Sequence, residues 1–247
     1  MPEGPSIILF KRALEVFKGC KVLKASGVSK TIDPTQLQGK TLTGLRTFGK
    51  HLLLSFGPRF TLRVHFLMFG TFRFDDVRKA PIRLHLGFGH QQQLNFYTCS
   101  LQYIEEPLNH VYDWREDILS SKWDPASALQ KLKEEPADRM VCDSLMDQDL
   151  FAGLGNIIKN EVLYRTKVHP ESLVKSIPAN KRKEIVHEVR TYAKQFLKWK
   201  EAGSLQKHWE AYMQTTCGRD GAKLIKEPTG KGERRSFWCP VCMKKYE

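Results

Sequence analysis

The hydrophobic period of this chain changes once, near residue 110, and that change constrains the fold more than any other feature. From about 21 to 107 the apolar residues fall in short β-rich runs: KVLKASGV, TLTGLRTF, HLLLSF, FTLRVHFL, GTFRF, IRLHLGF, QLNFYT and LQYI. Gly, Pro and Asp turns separate them. Beyond 110 the pattern is helical, in ASALQKLKEE, DSLMDQDLF, NIIKNEVLYRTK and KRKEIVHEVRTYAKQFLKW. Strands segregated from helices make an α+β chain, not an alternating βαβ one. An amphipathic helix over 6–18, with Ile7, Ile8, Phe10, Ala13, Leu14 and Phe17 on one face and Gly19 at its end, precedes the strands. The residues from Cys217 onward read as short strands rich in Gly and Lys. The expected order is therefore a helix with an eight-stranded β-sandwich over 1–110, a helical domain over 125–212, and a terminal β-hairpin over 213–247.

Charge narrows the partner. Lysine and arginine number 40 against 27 acidic residues in 247, a net charge of +13. An excess of that size suits a polyanion, because each phosphate neutralised releases condensed counterions. No apolar run reaches the roughly 18 residues of a membrane span, and the first residues lack the order of a signal peptide. A cytosolic, monomeric, nucleic-acid-binding protein is expected, with no membrane partner. Cys20, Cys99 and Cys142 are scattered and read as reduced core thiols.

The N-terminus carries possible chemistry. A small second residue permits removal of Met1, which would expose the secondary amine of Pro2. An α-amino group has a pKa near 8, so roughly a tenth of it is neutral and nucleophilic at pH 7. A secondary amine that attacks a sugar C1′ expels the base and leaves an iminium, which is an electron sink for elimination of the 3′ phosphate. Glu3 stands beside it as an acid/base. Alone, MPEGP is equally an ordinary chain start.

Other positions are ambiguous by themselves. Lys50, in FGKHLLLSF, reads as a solvated turn lysine, and Met68, in HFLMFGTFRF, as a core residue. In AGLGN, Gly153 and Gly155 allow positive φ and close backbone approach. Asn156 opens a helix whose free N–H groups can face a phosphate, or it simply caps that helix. Cys239-Pro-Val-Cys242 has the spacing of one zinc knuckle. Cys217 is present, but its partner position holds Asp220. The fourth ligand is open between Asp220 and His208, and a metal-free hairpin is a third possibility.

Taken in order, MPEGP, FGKHLLL, HFLMFG, DQDLFAGLGNIIKNEV and ERRSFWCPVC resemble the formamidopyrimidine-DNA glycosylase and endonuclease VIII family across essentially the whole chain. The resemblance implies an enzyme of base excision repair that flips a damaged base from duplex DNA, removes it and nicks the strand. It implies Pro2 as the Schiff-base nucleophile, Glu3 as the acid, and Lys50 as a catalytic phosphate ligand. His65 would border the DNA backbone. Met68 would wedge into the gap left by the flipped base, with Phe66 and Phe69 beside it. The helical domain would be a helix–two-turns–helix unit whose Asn156 grips a phosphate. The hairpin would be zinc-ribbon-like, holding structural zinc through Cys217, Asp220, Cys239 and Cys242 and presenting Arg234, beside Arg235, to phosphates. Three departures stand out. Ser6 replaces a frequent glutamate. Cys142 stands where the oxidised-purine branch carries a lysine. The connection before the hairpin is short. The last two point to the endonuclease VIII side and to oxidised pyrimidines.

Overall fold

The computed structural model describes residues 2–76, 78–89 and 92–247. It divides into two compact units, Met1–Asp113 and Trp114–Glu247.

In the first unit, helix α1 (Gly4–Leu14) begins with Pro5 in its first turn, where a missing N–H costs nothing. A short 3-10 turn, Glu15–Phe17, extends it to Gly19, whose φ of 87° stops the helix. Ile7 and Leu14 are fully buried. Phe10 packs edge-on against Phe66 and Phe72, with centroids 4.9 and 5.1 Å apart.

Six strands follow, in one antiparallel sheet ordered β1-β5-β6-β4-β3-β2. They are β1 (Lys24–Ser26), β2 (Gly44–Phe48), β3 (His51–Ser55), β4 (Thr61–Phe74), β5 (Leu84–Gly87) and β6 (Gln93–Ile104). The expected eight strands are thus six among the described residues. FTLRVHFL and GTFRF are two halves of β4, and QLNFYT and LQYI two halves of β6. The β4–β6 register slips between Phe66 and Thr71, and Thr98 has a φ of 49°. Such a bulge bends both strands without ending them. The first half of β4 pairs with β3, while the first half of β6 pairs with β5. The sheet thereby folds into the two layers of a sandwich.

The second unit holds α3 (Pro125–Glu134), α4 (Val141–Met146), α5 (Asn156–Arg165), α6 (Ala179–Glu201) and a hairpin, β7 (Ile225–Thr229) with β8 (Arg234–Trp238). A short α2, Leu108–Val111, closes the first unit. Helix α5 is buried from Ile158 to Tyr164, on all sides. It packs against α4, α6 and β8, so its polar residues must be satisfied inside the protein. Glu161, fully buried, accepts the N–H groups of Glu210, Ala211 and Tyr212 at 3.0, 3.0 and 2.7 Å. Cys99 and Cys142 are buried free thiols, as expected of core residues, whereas Cys20 is half-exposed at the end of the first helix.

Candidate nucleic-acid interface and cysteine centre

Pro2 is half-buried, and Glu3, just before α1, is 3% exposed. The Glu3 carbonyl accepts the N–H groups of Ser6 and Ile7 and so starts the helix. Helix α1 lies against β2 and β3. The turn joining those strands is Gly49–Lys50. Gly49, with a φ of 53°, takes the first central position that a two-residue hairpin reserves for glycine. Lys50 therefore sits at the tip of the hairpin on which α1 packs, and it is 7% exposed, not solvated.

Around Lys50 the strands gather a cationic cluster. His51 and His65 are direct partners on β3 and β4. Burial, with Arg63, His65 and Lys50 nearby, pushes His51 down to about 3. Burial, then Lys50 and Arg63, also lowers His65. The Tyr112 hydroxyl meets His51 Nδ1 at 3.3 Å, and Tyr112 leans on Phe48 at 4.4 Å between centroids. A cluster that keeps its histidines neutral beside a lysine and an arginine has a field suited to an anion. His51 and Tyr112 were not singled out from sequence. The cross-strand register that pairs His51 with His65 is set by the β3–β4 connection, which closes at the Ser55–Thr61 pair, and no local pattern shows it.

Further along β4 the exposed tip is Leu67, Met68 and Phe69, at 44%, 52% and 82% exposure. Phe69 adopts a φ of 88°, rare for a bulky residue. Phe66, expected beside Met68 at the tip, is instead 1% exposed and belongs to the core. The register slip that begins after Phe66 breaks the alternation of the strand and separates the two aromatic residues.

In the second unit, the α4–α5 connection is braced by Gln148. Its Nε2 donates to the Met146 and Leu154 carbonyls, and its Oε1 accepts the Gly153 N–H at 3.2 Å. Gly153 uses its freedom, with a φ of 100°, but Gly155 is extended at −127°, contrary to expectation. Asn156 makes no cap. Its Nδ2 donates to the Arg235 carbonyl at 3.0 Å, which ties the turn to the hairpin. Arg234 and Arg235 are exposed on β8. Lys159 and Asn160, also bonded to β8, were missed from sequence. The available signal was polar residues inside NIIKNEVLY, a helix without an exposed face.

The four ligand atoms of Cys217, Asp220, Cys239 and Cys242 lie within 4.8 Å of one another. His208 is elsewhere, stacked on Trp199 at 4.2 Å, so the candidate fourth ligand is Asp220 and not His208. Burial works against ionising Cys217, but hydrogen bonds from Tyr164 and from the Arg219 and Asp220 backbone hold it at about 7. The Asp220 carboxyl, bonded by the Ala222 N–H, drops to about 2. Arg219 donates to Cys242 Sγ at 2.9 Å. Three thiols and a carboxylate converging on one point are a donor set that fits tetrahedral zinc.

Among the described residues no helix is long and apolar enough to cross a membrane. Residues 1–99 match the formamidopyrimidine-DNA glycosylase N-terminal domain, and 116–207 match the formamidopyrimidine-DNA glycosylase H2TH domain. Mouse endonuclease 8-like 2 is 28% identical over 98% of this chain and 95% of its own length; the human protein is 29% identical over 98% and 96%. Mouse endonuclease 8-like 3 is 32% identical over 83% of this chain, which spans about a third of that longer relative (35%). Lactococcus lactis Fpg (MutM) in complex with DNA containing an oxidised pyrimidine superposes with a TM-score of 0.87 at 25% identity, over 99% of this chain and 100% of that one. A viral DNA glycosylase shares the fold, with a TM-score of 0.80 at 19% identity, over 98% of this chain and 100% of its own. With both domain models matched in order and full-length relatives of the endonuclease 8-like kind, the chain belongs to the formamidopyrimidine-DNA glycosylase and endonuclease VIII family of DNA base-excision repair.

Proposed function

We propose that the chain is a bifunctional DNA glycosylase and abasic-site lyase that removes oxidised pyrimidines from duplex DNA, acting as a monomer. One observation carries this reading. Pro2 and the buried carboxyl of Glu3 lead directly into a helix that packs on the hairpin whose tip is Lys50. With Met1 removed, the Pro2 nitrogen bonds to C1′ of the damaged nucleotide. The glycosidic bond breaks, its electron pair and the amine proton going to the base. Glu3 protonates O4′ as the C1′–O4′ bond opens, which leaves an iminium on Pro2. Loss of a C2′ proton then sends an electron pair toward the iminium and expels the 3′ phosphate with its C3′–O bond.

The other residues bind and position. Lys50 and the cationic field around His51 and His65 balance phosphate charge. Met68, with Phe69 beside it, fills the space vacated by the flipped base. Asn156 and Arg234 hold phosphates from the second unit. Zinc on Cys217, Asp220, Cys239 and Cys242 would crosslink the hairpin and takes no part in the chemistry. The pyrimidine preference rests on Cys142, which stands where the resemblance gives the purine branch a lysine.

Borohydride trapping on abasic-site duplex tests the chemistry. A covalent adduct is expected from protein whose Met1 is confirmed absent, and its loss from protein that retains Met1, in which the Pro2 nitrogen is an amide. No adduct from the processed protein would reduce the chain to a DNA-binding relative without catalysis. Undiminished trapping by protein that retains Met1 would move the nucleophile elsewhere.

A further inference from the structure

Lys159 lies on α5 and is 0% exposed. An ammonium taken wholly out of water is costly unless its three donors find acceptors. Here they come from one strand. Lys159 Nζ reaches Ser236 Oγ at 2.8 Å and the carbonyls of Arg234 and Arg235 at 3.4 and 3.5 Å. Asn160, next along the helix, accepts the Phe237 N–H at 2.8 Å and donates to the Arg235 carbonyl at 3.2 Å. Asn156, one turn earlier, donates to the same carbonyl at 3.0 Å. Ser236 Oγ is also 2.5 Å from Thr229 Oγ1, which links β7 to the same network.

The turn that joins β7 to β8 is held separately. The Asp143 carboxylate accepts the N–H groups of Lys231 and Gly232 at 2.9 and 3.2 Å. It crowds Gly230 so closely that an added Cβ would lie 2.5 Å from Asp143 Oδ1. Arg234 stands between these two clamps. Its backbone is fixed by helix residues, while its side chain remains exposed.

We propose that Lys159 is a positioning residue for Arg234: its buried ammonium holds the first residues of β8 against α5, so that the arginine meets a DNA phosphate from a fixed backbone. This rests on reading Arg234 as a phosphate contact. The clamp lies in the helical domain and uses none of the cysteine centre's ligands, so the arginine stays in place when that centre is emptied.

The test measures affinity for a duplex bearing a non-cleavable abasic analogue, across a salt series, for wild type, Arg234→Ala, Lys159→Met, Ser236→Ala and the Arg234→Ala/Lys159→Met double variant. Arg234→Ala is expected to weaken binding about tenfold and to lower the salt slope by about one phosphate contact. Lys159→Met should do both, Ser236→Ala should do so more weakly, and the double variant should bind no worse than Arg234→Ala. Amide exchange should quicken in β8 and stay unchanged in α6. Should Lys159→Met fail to fold, Ser236→Ala decides the same comparison. Wild-type affinity and slope in both clamp variants would overturn the proposal while Arg234 keeps its role. Losses that simply add would overturn it too, since Lys159 would then act other than through Arg234. An Arg234→Ala protein that binds like wild type would instead remove the phosphate reading on which the proposal stands.

Discussion

His51 and His65 face each other across the β3–β4 ladder with their ring centroids 5.3 Å apart, beside Lys50 and Arg63. Neither imidazole can take a proton without adding charge to a site already cationic, and burial deepens the penalty. His51 therefore protonates only near pH 3 in the native protein, against the ordinary 6.5 when unfolded. Between those values the unfolded chain holds a proton that the native chain does not, so stability rises with pH across the window and is lost as pH falls through it. Urea unfolding of wild type and His51→Gln at pH 7 and pH 4.5 checks this. The variant should lose less stability on acidification. Equal losses would show that His51 is not the group responsible.

The β4 tip should divide into two kinds of residue. Met68→Ala and Phe69→Ala remove exposed side chains, so melting should hardly move while excision from duplex falls about tenfold. Excision from single-stranded DNA, where no stack must be refilled, should be spared. Phe66→Ala should cost about 3–5 kcal/mol of stability, because a buried ring in contact with Phe10 is lost. Thermal melting beside single-turnover assays on the two substrates separates the cases.

The bend that explains the β4 tip also explains the strand miscount. Gly70 opens the GTFRF run and Thr98 ends QLNFYT. In the structure they meet at one point, where an added Cβ on Gly70 would lie 2.6 Å from the Thr98 carbonyl oxygen. A glycine and a break in alternation read alike whether a strand ends or bends, and only the partner strand tells them apart. The run DSLMDQDLF is helical only to Met146 and continues as the turn that leads to α5, whereas the switch near residue 110 and the α1 core face were legible because local periodicity encodes them. So were the positions of Lys50, Met68 and the three terminal cysteines, through spacing and resemblance. Asn156 was placed correctly at a helix start, but its bond to Arg235 joins residues 79 apart in sequence, and no local pattern carries that. Lys159, Asn160 and His51 were hidden for the same reason: each owes its role to a cross-strand or helix–hairpin partner.

Glu161 is a second buried charge on α5, and its removal should be felt in the loop after α6. With three backbone N–H groups bonded to one carboxylate, Glu161→Ala leaves three donors without a partner. A loss of at least about 3 kcal/mol is expected. Amide exchange at 210–212 should rise before that of α5 itself. A variant that melts like wild type would mean that water replaces the carboxylate at no cost.

The cysteine centre makes the remaining prediction. Three thiolates and the Asp220 carboxylate would give a zinc site two negative charges in excess, and Arg219, bonded to Cys242 Sγ and lying 3.7 Å over the Tyr164 ring, supplies a compensating cation. Protein expressed with zinc should carry it in equimolar amount by elemental analysis, and Cys239→Ser should carry none. Asp220→Ala should still bind but release zinc to a chelator about ten- to a hundredfold more readily, and Asp220→Cys should hold it more tightly than wild type. Because the hairpin is also clamped through Ser236 and Asp143, chelation should lower the melting temperature without abolishing DNA binding. Metal-free protein from zinc-rich medium would instead mark the centre as a hydrogen-bonded cluster, held by the Asp220 carboxylate on Cys239 Sγ at 3.2 Å.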